Sequence, residues 1–338
     1  MTPCKIVDMH CDTISELRKK RNMGWNEGLQ SNKGHLDLER MREQGYLLQN
    51  MALFVNQGEC SDPWEEFLVL EKLYREELQR NYDRVRPVFS YEDIERNERE
   101  GCLSVMLTAE EGQICGGEKE KLRQMYRMGV RMMTITWNYP NCLGYPAKAG
   151  VLPEGHPAKR YGLSYGEENG LTDLGRELVR EMEQLGMIID VSHLSDRGFY
   201  EVLELTGKPF VASHSNARSL CPHPRNMTDE MIRRLGERGG CMGLNFYQEF
   251  LRTKDSESEE IQGGMEDLVR HAKYIVNIGG EEVLGIGSDF DGIDTNPDIP
   301  DVTAMERIWE RLHRAGFSQG QLDKIFHENV LRVYREVL

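Results

Sequence analysis

The sequence predicts an α/β fold in which eight parallel strands and the helices between them close into one (β/α)8 barrel of the TIM type. Three observations support this prediction. Eight short, apolar strand candidates alternate with helical or long loop segments, and no linker or repeat divides the 338 residues. Turns that lead into strands are short and contain glycine, whereas segments that leave strands are long. A doubly wound open sheet is the alternative, but no glycine-rich phosphate loop follows the first strand.

The predicted strands are mostly apolar on both faces, as expected when helices cover a parallel sheet on both sides. In chain order they are Ile6–His10, Leu47–Val55, Leu103–Glu110, Arg131–Trp137, Met187–His193, Phe210–Ser215, Cys241–Tyr247 and Val283–Phe290. The helices between them have recognisable ends, with predicted N-caps at Ser195 and Thr228. Ser318 and Gln321 form a predicted capping box.

The segment after the fourth strand, residues 138–170, is too long for a plain connection and is rich in glycine and proline. In barrels of this type the segments that follow strands carry the chemistry. We therefore expect one domain over residues 1–338, with a lid-like insertion at about 138–170.

Charge and composition argue against several kinds of partner. The formal net charge is −15, from 57 acidic and 42 basic residues, whereas nucleic-acid binding needs clustered Lys and Arg. The same charge disfavours anionic membranes, and no apolar run approaches the ~18 residues of a membrane span. The eight cysteines are scattered, and strand-like residues begin too early for a signal peptide. These features predict a cytoplasmic protein with reduced thiols and a small-molecule substrate.

Polar side chains stand at the carboxyl ends of the predicted strands. The first strand leads into Asp8-Met9-His10-Cys11-Asp12, in which alternate side chains point the same way. Two consecutive strands end on a histidine, and two others end on a carboxylate. Each residue alone is more often a solvated polar group, but a barrel places all strand ends on one rim. We therefore expect six side chains to converge there: His10, Asp12, Glu110, His193, His214 and Asp289.

The expected cluster has the composition of a metal site. Imidazole and carboxylate ligands without a thiolate favour Zn²⁺ over Mn²⁺ or Fe²⁺. Five ligands are too many for one catalytic zinc with an open position, and they suit two ions ~3.5–4 Å apart that share a carboxylate and a hydroxide. The predicted ligands are His10, Asp12, Glu110, His193 and His214.

Taken together and in order, the motifs resemble those of the membrane (renal) dipeptidase family of zinc peptidases, which are (β/α)8 barrels of the metal-dependent hydrolase type. The resemblance covers essentially the whole chain, and it is the order and joint presence of the motifs that make it specific. It rests on residues 8–12, 107–110, 189–193, 213–215 followed by Arg225-Asn226, 287–292 and 329–333.

The resemblance implies a role for each predicted ligand. It implies that His10 and Asp12 bind the first zinc ion. It also implies that His193 and His214 bind the second, with Glu110 as the bridge between the two ions.

The resemblance further implies a zinc dipeptidase in which a metal-bridging hydroxide attacks the peptide bond of a dipeptide. Arg225 matches the family arginine that binds the free carboxylate of the substrate. Asp289 matches the acidic residue that carries protons at the scissile amide. Family members are commonly homodimers, although no residue of this sequence indicates an interface.

One position departs from the family pattern. The best-known members have a substrate-contacting histidine after Thr-x-Thr, whereas here Thr134-Ile135-Thr136 is followed by Trp137-Asn138. Trp137 and Asn138 are therefore candidate substrate contacts, and Tyr247 is either a third or a structural aromatic residue. Two alternative functions stay open: a related amidohydrolase or lactonase acting on a non-peptide substrate, and a catalytically idle metal-binding scaffold.

Three neighbouring carboxylates complete the expectations. Next to Glu110, Glu111 is expected to face solvent. Asp8 and Asp190 are expected either to orient the ligand histidines or to form structural salt bridges.

Overall fold

The structure, a computed structural model, describes residues 5–147, 169–253 and 263–338. Eight of its parallel strands close into a barrel, which confirms the predicted fold. The described strands are β1 (Ile6–Asp8), β2 (Tyr46–Phe54), β3 (Val85–Pro87), β4 (Leu103–Glu110), β5 (Val130–Thr134), β6 (Ile188–Asp190), β7 (Val211–Ala212), β8 (Cys241–Leu244) and β9 (Leu284–Ile286).

The ring closes because β2 pairs with both β1 and β4. The remaining strand, β3, was not predicted and is an addition to the barrel. β3 pairs with Leu103–Val105 of β4. It lies along the same edge of β4 that pairs with β5 further along the strand, at Leu107–Glu110. Its three residues include Arg86 and Pro87, so no apolar run marks it in the sequence.

Six of the eight predicted strands are shorter than predicted because the chain leaves the sheet before it reaches their last residues, whereas β2 has the predicted length and β4 ends at Glu110 as predicted. β1 ends at Asp8 and β7 ends at Ala212, so His10 and His214 lie in the segments that follow. These segments all emerge at the carboxyl end of the barrel, which is where a TIM barrel holds its functional side chains.

The helices surround the barrel. They are α1 (Thr13–Asn22), α2 (Leu38–Glu43), α3 (Pro63–Arg80), α4 (Tyr91–Arg99), α5 (Lys119–Met128), α6 (Asp173–Leu185), α7 (Asp196–Leu205), α8 (Asp229–Glu237), α9 (Gln248–Leu251), α10 (Met265–Gly279), α11 (Met305–Arg314), α12 (Gln319–Asp323) and α13 (Asn329–Val337). The predicted N-caps are confirmed, because Ser195 accepts from Gly198 N and Thr228 from Met231 N. The predicted capping box at Ser318 is also present.

The C-terminal helix α13 seals the opposite end of the barrel. Its apolar residues, among them Val330 and Val333, pack in one buried cluster with Val7 of β1 and Met132 of β5. The hydroxyl of Tyr334 accepts a hydrogen bond of 2.6 Å from Asn50 Nδ2 inside this cluster. One end of the barrel is therefore apolar and closed, while the other is polar and open to ligands.

The predicted lid-like insertion at about 138–170 falls mostly on residues 148–168, which lie outside the described residues. Among the helices that the structure describes, none combines the length and apolar character required for a membrane span.

A buried histidine ties α10 to two segments near the open end. His271 Nδ1 accepts from the backbone N–H of Ala217 at 3.1 Å, and Nε2 donates to the carbonyl oxygen of Leu251 at 3.0 Å. Burial lowers the pKa of His271 from 6.5 to about 4. The neutral ring is therefore the form that the folded protein holds.

This contact predicts a pH-dependent loss of stability. The unfolded chain takes up a proton at His271 near pH 6.5, whereas the folded chain does so only near pH 4. The contribution of neutral His271 to the free energy of unfolding is therefore complete above pH 6.5 and is lost as the pH falls towards 4. Between pH 7 and 4, wild-type protein should lose about 3 kcal/mol more unfolding free energy than the non-titrating variant His271→Gln. Urea denaturation over this pH range measures the difference, and parallel pH profiles would contradict the prediction.

Candidate active site

The structure brings the six predicted side chains together at the carboxyl end of the barrel, and all six are buried. His10 lies at the centre of one half. Its Nε2 is 3.4 Å from Asp12 Oδ2, 3.5 Å from Glu110 Oε2 and 3.8 Å from Asp289 Oδ1. The first half of the site thus has one imidazole among three carboxylates.

The second half of the site contains the other two histidines. His193 Nε2 is 3.0 Å from Glu110 Oε1, and His214 Nε2 is 3.7 Å from the same oxygen. The two Nε2 atoms are 3.0 Å apart. The carboxylate of Glu110 therefore stands between the halves, with one oxygen directed to each.

The turn after β9 is shaped to admit two carboxylates side by side. Asp289 has a left-handed backbone, with φ of 64°, and its Oδ2 accepts a hydrogen bond of 2.9 Å from Asn245 Nδ2. A Cβ at Gly292 would overlap Asp12 Oδ2 and would come within 2.7 Å of Asp289 Oδ1. Only glycine at this position leaves room for both oxygens.

The two halves of the site differ in their electrostatics. Burial lowers the pKa of His193 and of His214 well below the ordinary value, so both rings are neutral. Burial alone would also lower the pKa of His10, but Glu110 and Asp12 outweigh it and raise that pKa well above the ordinary value. Burial raises the pKa of Glu110 to about 7 and also raises that of Asp289. The carboxylate-rich half therefore attracts positive charge.

These residues fit divalent metal ions. Within the described ranges, both ring nitrogens of His10 and Oδ1 of Asp12 are buried without a hydrogen-bond partner. Ligand atoms within 4.8 Å of one another form three overlapping groups: His10 with Asp12 and Glu110, Glu110 with His193 and His214, and His10 with His214 and Asp289. A neutral imidazole and a carboxylate are both metal ligands, so the clustered lone pairs form sites for cations.

Arg225 is the buried cation beside this cluster. Its Nη1 donates to the carbonyl oxygen of Ser192, and its guanidinium carbon lies 5.4 Å from the centre of the Phe250 ring. In the described part of the chain it forms no ion pair within 4.0 Å, and its Nε has no hydrogen-bond partner. Burial lowers the pKa of Arg225 to about 10, so the guanidinium keeps its charge at neutral pH. A buried charge of this kind calls for an anionic ligand.

The candidate substrate contacts line a cavity of about 880 Å³ that opens over the cluster. The Trp137 ring lies 4.8 Å from that of Phe54 and 6.3 Å from that of His193, so these aromatic rings form one wall. The amide oxygen of Asn138 is 3.0 Å from His193 Nδ1, which places Asn138 behind a predicted ligand histidine. Tyr247 also lines the cavity and packs edge-on against Phe250.

The expectation for Glu111 is wrong. Its side chain is buried, because a backbone φ of 114° turns it inward directly after Glu110. The carboxylate accepts from Gln113 N at 2.9 Å, Gln57 Nε2 at 3.0 Å and Trp137 N at 3.2 Å, and it also accepts from Asn141 Nδ2. Burial raises the pKa of Glu111 to about 7, although these donors oppose the shift. Glu111 thus holds the loop that carries Trp137.

For Asp8 and Asp190, neither the expected direct contact with a ligand imidazole nor the expected salt bridge is found among the described residues. The carboxylate of Asp8 accepts from the backbone N–H and hydroxyl of Ser288. Asp190 accepts from the hydroxyls of Thr134, Ser192 and Ser213. Neither carboxylate reaches an imidazole directly, and among the described residues neither forms a salt bridge, because hydroxyl groups occupy the positions around both.

Three residues that shape the site were missed in the sequence: Phe54, Asn245 and Phe250. Phe54 and Asn245 stand at or just beyond the carboxyl ends of β2 and β8. The rule that singled out charged residues at strand ends would have found both, had it been applied to aromatic and amide side chains. Phe250 lies in the short helix α9, and its position beside Arg225 has no signal in the sequence.

A (β/α)8 barrel with clustered imidazoles and carboxylates at the carboxyl ends of its strands belongs to the class of metal-dependent hydrolases. Within this class, the chain is a member of the membrane dipeptidase family, Peptidase family M19, which matches residues 1–338. It is accordingly a metal-dependent dipeptidase.

Relatives of known name support this assignment. A dipeptidase of Schizosaccharomyces pombe is 30% identical over 357 residues, which cover 98% of this chain and 80% of that protein. Dipeptidase tcpJ of Claviceps purpurea is 28% identical over 347 residues, covering 98% and 76%. A metallopeptidase of Rhodobacter sphaeroides, crystallised with a phosphinate mimic of the dipeptide L-Ala-D-Ala, has a TM-score of 0.84 and 25% identity, covering 99% of this chain and all of that one.

The contacts of Glu111 predict a structural role that can be measured as stability. Glu111→Ala removes the acceptor of four donors, of which Asn141 Nδ2 keeps the carbonyl oxygen of Ile135, and it should lower the free energy of unfolding by roughly 3–5 kcal/mol. Glu118→Ala is a suitable control, because Glu118 is exposed and, among the described residues, forms an ion pair with Lys121 alone, at 3.0 Å. Urea denaturation compares the two variants, and equal stability would show that Glu111 does not hold the loop.

Proposed function

We propose that the protein is a zinc dipeptidase that uses two Zn²⁺ ions to hydrolyse dipeptides with a free carboxylate. The observation that carries the proposal is the position of Glu110, whose two oxygens face different groups of ligand atoms. A carboxylate shared in this way suits two ions rather than one. His10 and Asp12 would hold the first ion, and His193 and His214 the second.

The metal ions supply a Lewis acid for the peptide carbonyl and lower the pKa of water towards neutrality, so that it can attack. The chain's own residues exclude bulk water and orient the substrate. Phe54 and Trp137 form an apolar wall beside the ligands, which suits a substrate side chain. No side-chain nucleophile is required.

Arg225 is the proposed carboxylate-binding residue. Its guanidinium is buried and charged, and it borders the same cavity as the metal ligands. A paired carboxylate and guanidinium would satisfy both charges. Because the distance from Arg225 to the ligand cluster is fixed by the barrel, this contact would restrict cleavage to very short peptides. A neutral amide or lactone substrate would leave the guanidinium buried without a counter-charge, which disfavours the related amidohydrolases and lactonases.

Asp289 is the proposed general acid–base catalyst. Asn245 holds its Oδ2, which leaves Oδ1 directed towards the ligand cluster. Burial raises the pKa of Asp289, so its carboxylate can accept a proton near neutral pH more readily than an exposed aspartate. In the proposed reaction, Oδ1 takes a proton from the attacking water and passes it to the leaving amine. An idle scaffold would not require a carboxylate in this position.

The proposal does not depend on where in the cell the protein acts or on its oligomeric state. A cytoplasmic location and a homodimer both stay predictions.

The proposed bridge predicts a difference between two adjacent glutamates. Protein purified without added metal should contain about two zinc ions per chain by elemental analysis. Glu110→Gln replaces the shared carboxylate by a neutral amide and should retain at most one. Glu111→Gln, which keeps a polar side chain outside the cluster, should retain both. The reverse pattern, or equal zinc in all three proteins, would contradict the proposed bridge.

The proposed carboxylate contact predicts a loss that depends on the substrate. Arg225→Met should lower kcat/KM for a dipeptide by roughly 10- to 100-fold, mainly through KM, because a charge-assisted hydrogen-bonded pair is lost. The same dipeptide with a C-terminal amide should lose little further activity in this variant.

A control of the same residue type is Arg233 of α8, which is paired with Glu230 at 2.8 Å and does not line the cavity. Arg233→Met should leave KM for the dipeptide unchanged. If Arg225→Met slows hydrolysis of the acid and of the amide equally, Arg225 does not bind the carboxylate.

A further inference from the structure

We infer that Ser213 is a positioning residue that fixes the tautomer of His214, so that the imidazole presents the lone pair of Nε2 to the metal. The inference rests on the proposed function, because it concerns an ion held by His193 and His214. It assigns a role to a hydroxyl that no ligand pattern in the sequence marks.

Asp190 is a buried carboxylate that accepts hydrogen bonds from several sides. Asp190 Oδ2 lies 2.6 Å from Ser213 Oγ and 2.7 Å from Thr134 Oγ1. Asp190 Oδ1 accepts from Ser192 Oγ at 2.6 Å and from two backbone N–H groups. These five hydrogen bonds offset the cost of burying the charge. An ionised carboxylate only accepts, so the hydrogen between Ser213 Oγ and Asp190 Oδ2 must come from the serine.

The hydroxyl of Ser213 has a single hydrogen to donate. Ser213 Oγ also lies 2.7 Å from His214 Nδ1. Since its hydrogen is already donated to Asp190, the serine oxygen can only accept from the imidazole. Nδ1 therefore carries the proton. In a neutral imidazole with the proton on Nδ1, Nε2 bears the lone pair that a metal ion binds. That atom is the one directed at Glu110 Oε1, 3.7 Å away.

The backbone leaves Ser213 little freedom to move. A Cβ at Gly243 of β8 or at Gly287, which follows β9, would overlap the carbonyl oxygen of Ser213. The main chain of Ser213 is therefore packed against two glycines, and its hydroxyl is directed between Asp190 and His214. A fixed hydroxyl can hold the ring orientation as well as the tautomer.

The other two ligand histidines lack an equivalent constraint. His193 Nδ1 faces the amide of Asn138, which can present either its oxygen or its nitrogen after a flip. Neither ring nitrogen of His10 has a hydrogen-bond partner within the described segments. His214 is thus the ligand whose proton position the surrounding chemistry dictates.

The test compares two variants that each remove one hydroxyl from Asp190 Oδ2. Ser213→Ala also removes the acceptor of His214 Nδ1, whereas Thr134→Val leaves the imidazole contact intact. Starting from the zinc-loaded protein, a competing chelator measures the dissociation constant of each ion. In Ser213→Ala we expect one of the two zinc ions to bind roughly 10- to 100-fold more weakly. Thr134→Val should retain both at wild-type affinity, and urea denaturation should show both variants folded.

Each outcome decides the inference. Equal zinc affinity in Ser213→Ala and wild type would overturn it, as would an equal loss in both variants, which would assign the effect to Asp190 alone. If Ser213→Ala does not fold, Ser213→Thr, which keeps the hydroxyl, should retain both ions, and loss of one would overturn the inference. A wild-type protein that binds no zinc would refute the proposed function itself, which distinguishes the two failures.

Discussion

The charge balance at the open end of the barrel governs the rest of this structure. Asp12, Glu110 and Asp289 are buried within a few ångströms of His10, and Arg225 is the buried guanidinium nearby. Burying carboxylates together is costly unless positive charge joins them. The pKa values of His10 and Glu110 are raised for the same reason, because bound protons offset the buried negative charge as cations would. The cost makes sense only in a site built to hold metal.

The opposite end of the barrel provides the stability that such a site lacks. There the strands and α13 bury apolar side chains, and Tyr334 pairs with Asn50 as a hydrogen-bonded polar contact within the cluster. In the described ranges, the non-glycine residues with a left-handed backbone, among them Asp289 with φ of 64° and Glu111 with φ of 114°, lie towards the open end. Strain of this kind persists where surrounding contacts determine it. The barrel thus separates the part that stabilises the fold from the part that binds ligands.

The sequence predicted those features that depend on residue type and position along a strand. Strand ends of a barrel meet on one rim, so the convergence of His10, His193 and His214 followed from the fold alone. Features set by backbone dihedrals were not predictable. Period-two alternation gives no reason for Glu110 and Glu111 both to point inward, because the turn at Glu111 depends on its tertiary contacts. The additional strand β3 was missed because its three residues include Arg86 and Pro87 and form no apolar run.

Contacts between strands explain why Asp190 does not contact the imidazole of His214 directly. They also show how the site limits its negative charge. The register Asp190↔Val211 sets β6 against β7, and in this register a serine hydroxyl separates Asp190 from His214. A carboxylate in direct contact with the imidazole would fix the tautomer equally well, but it would bring a fourth negative charge to the edge of a cluster that already has three. An intervening hydroxyl transmits the orientation without the charge. In the proposed site, the Ser213 hydroxyl thus contacts the His214 ring without placing a further carboxylate directly against the three that surround His10.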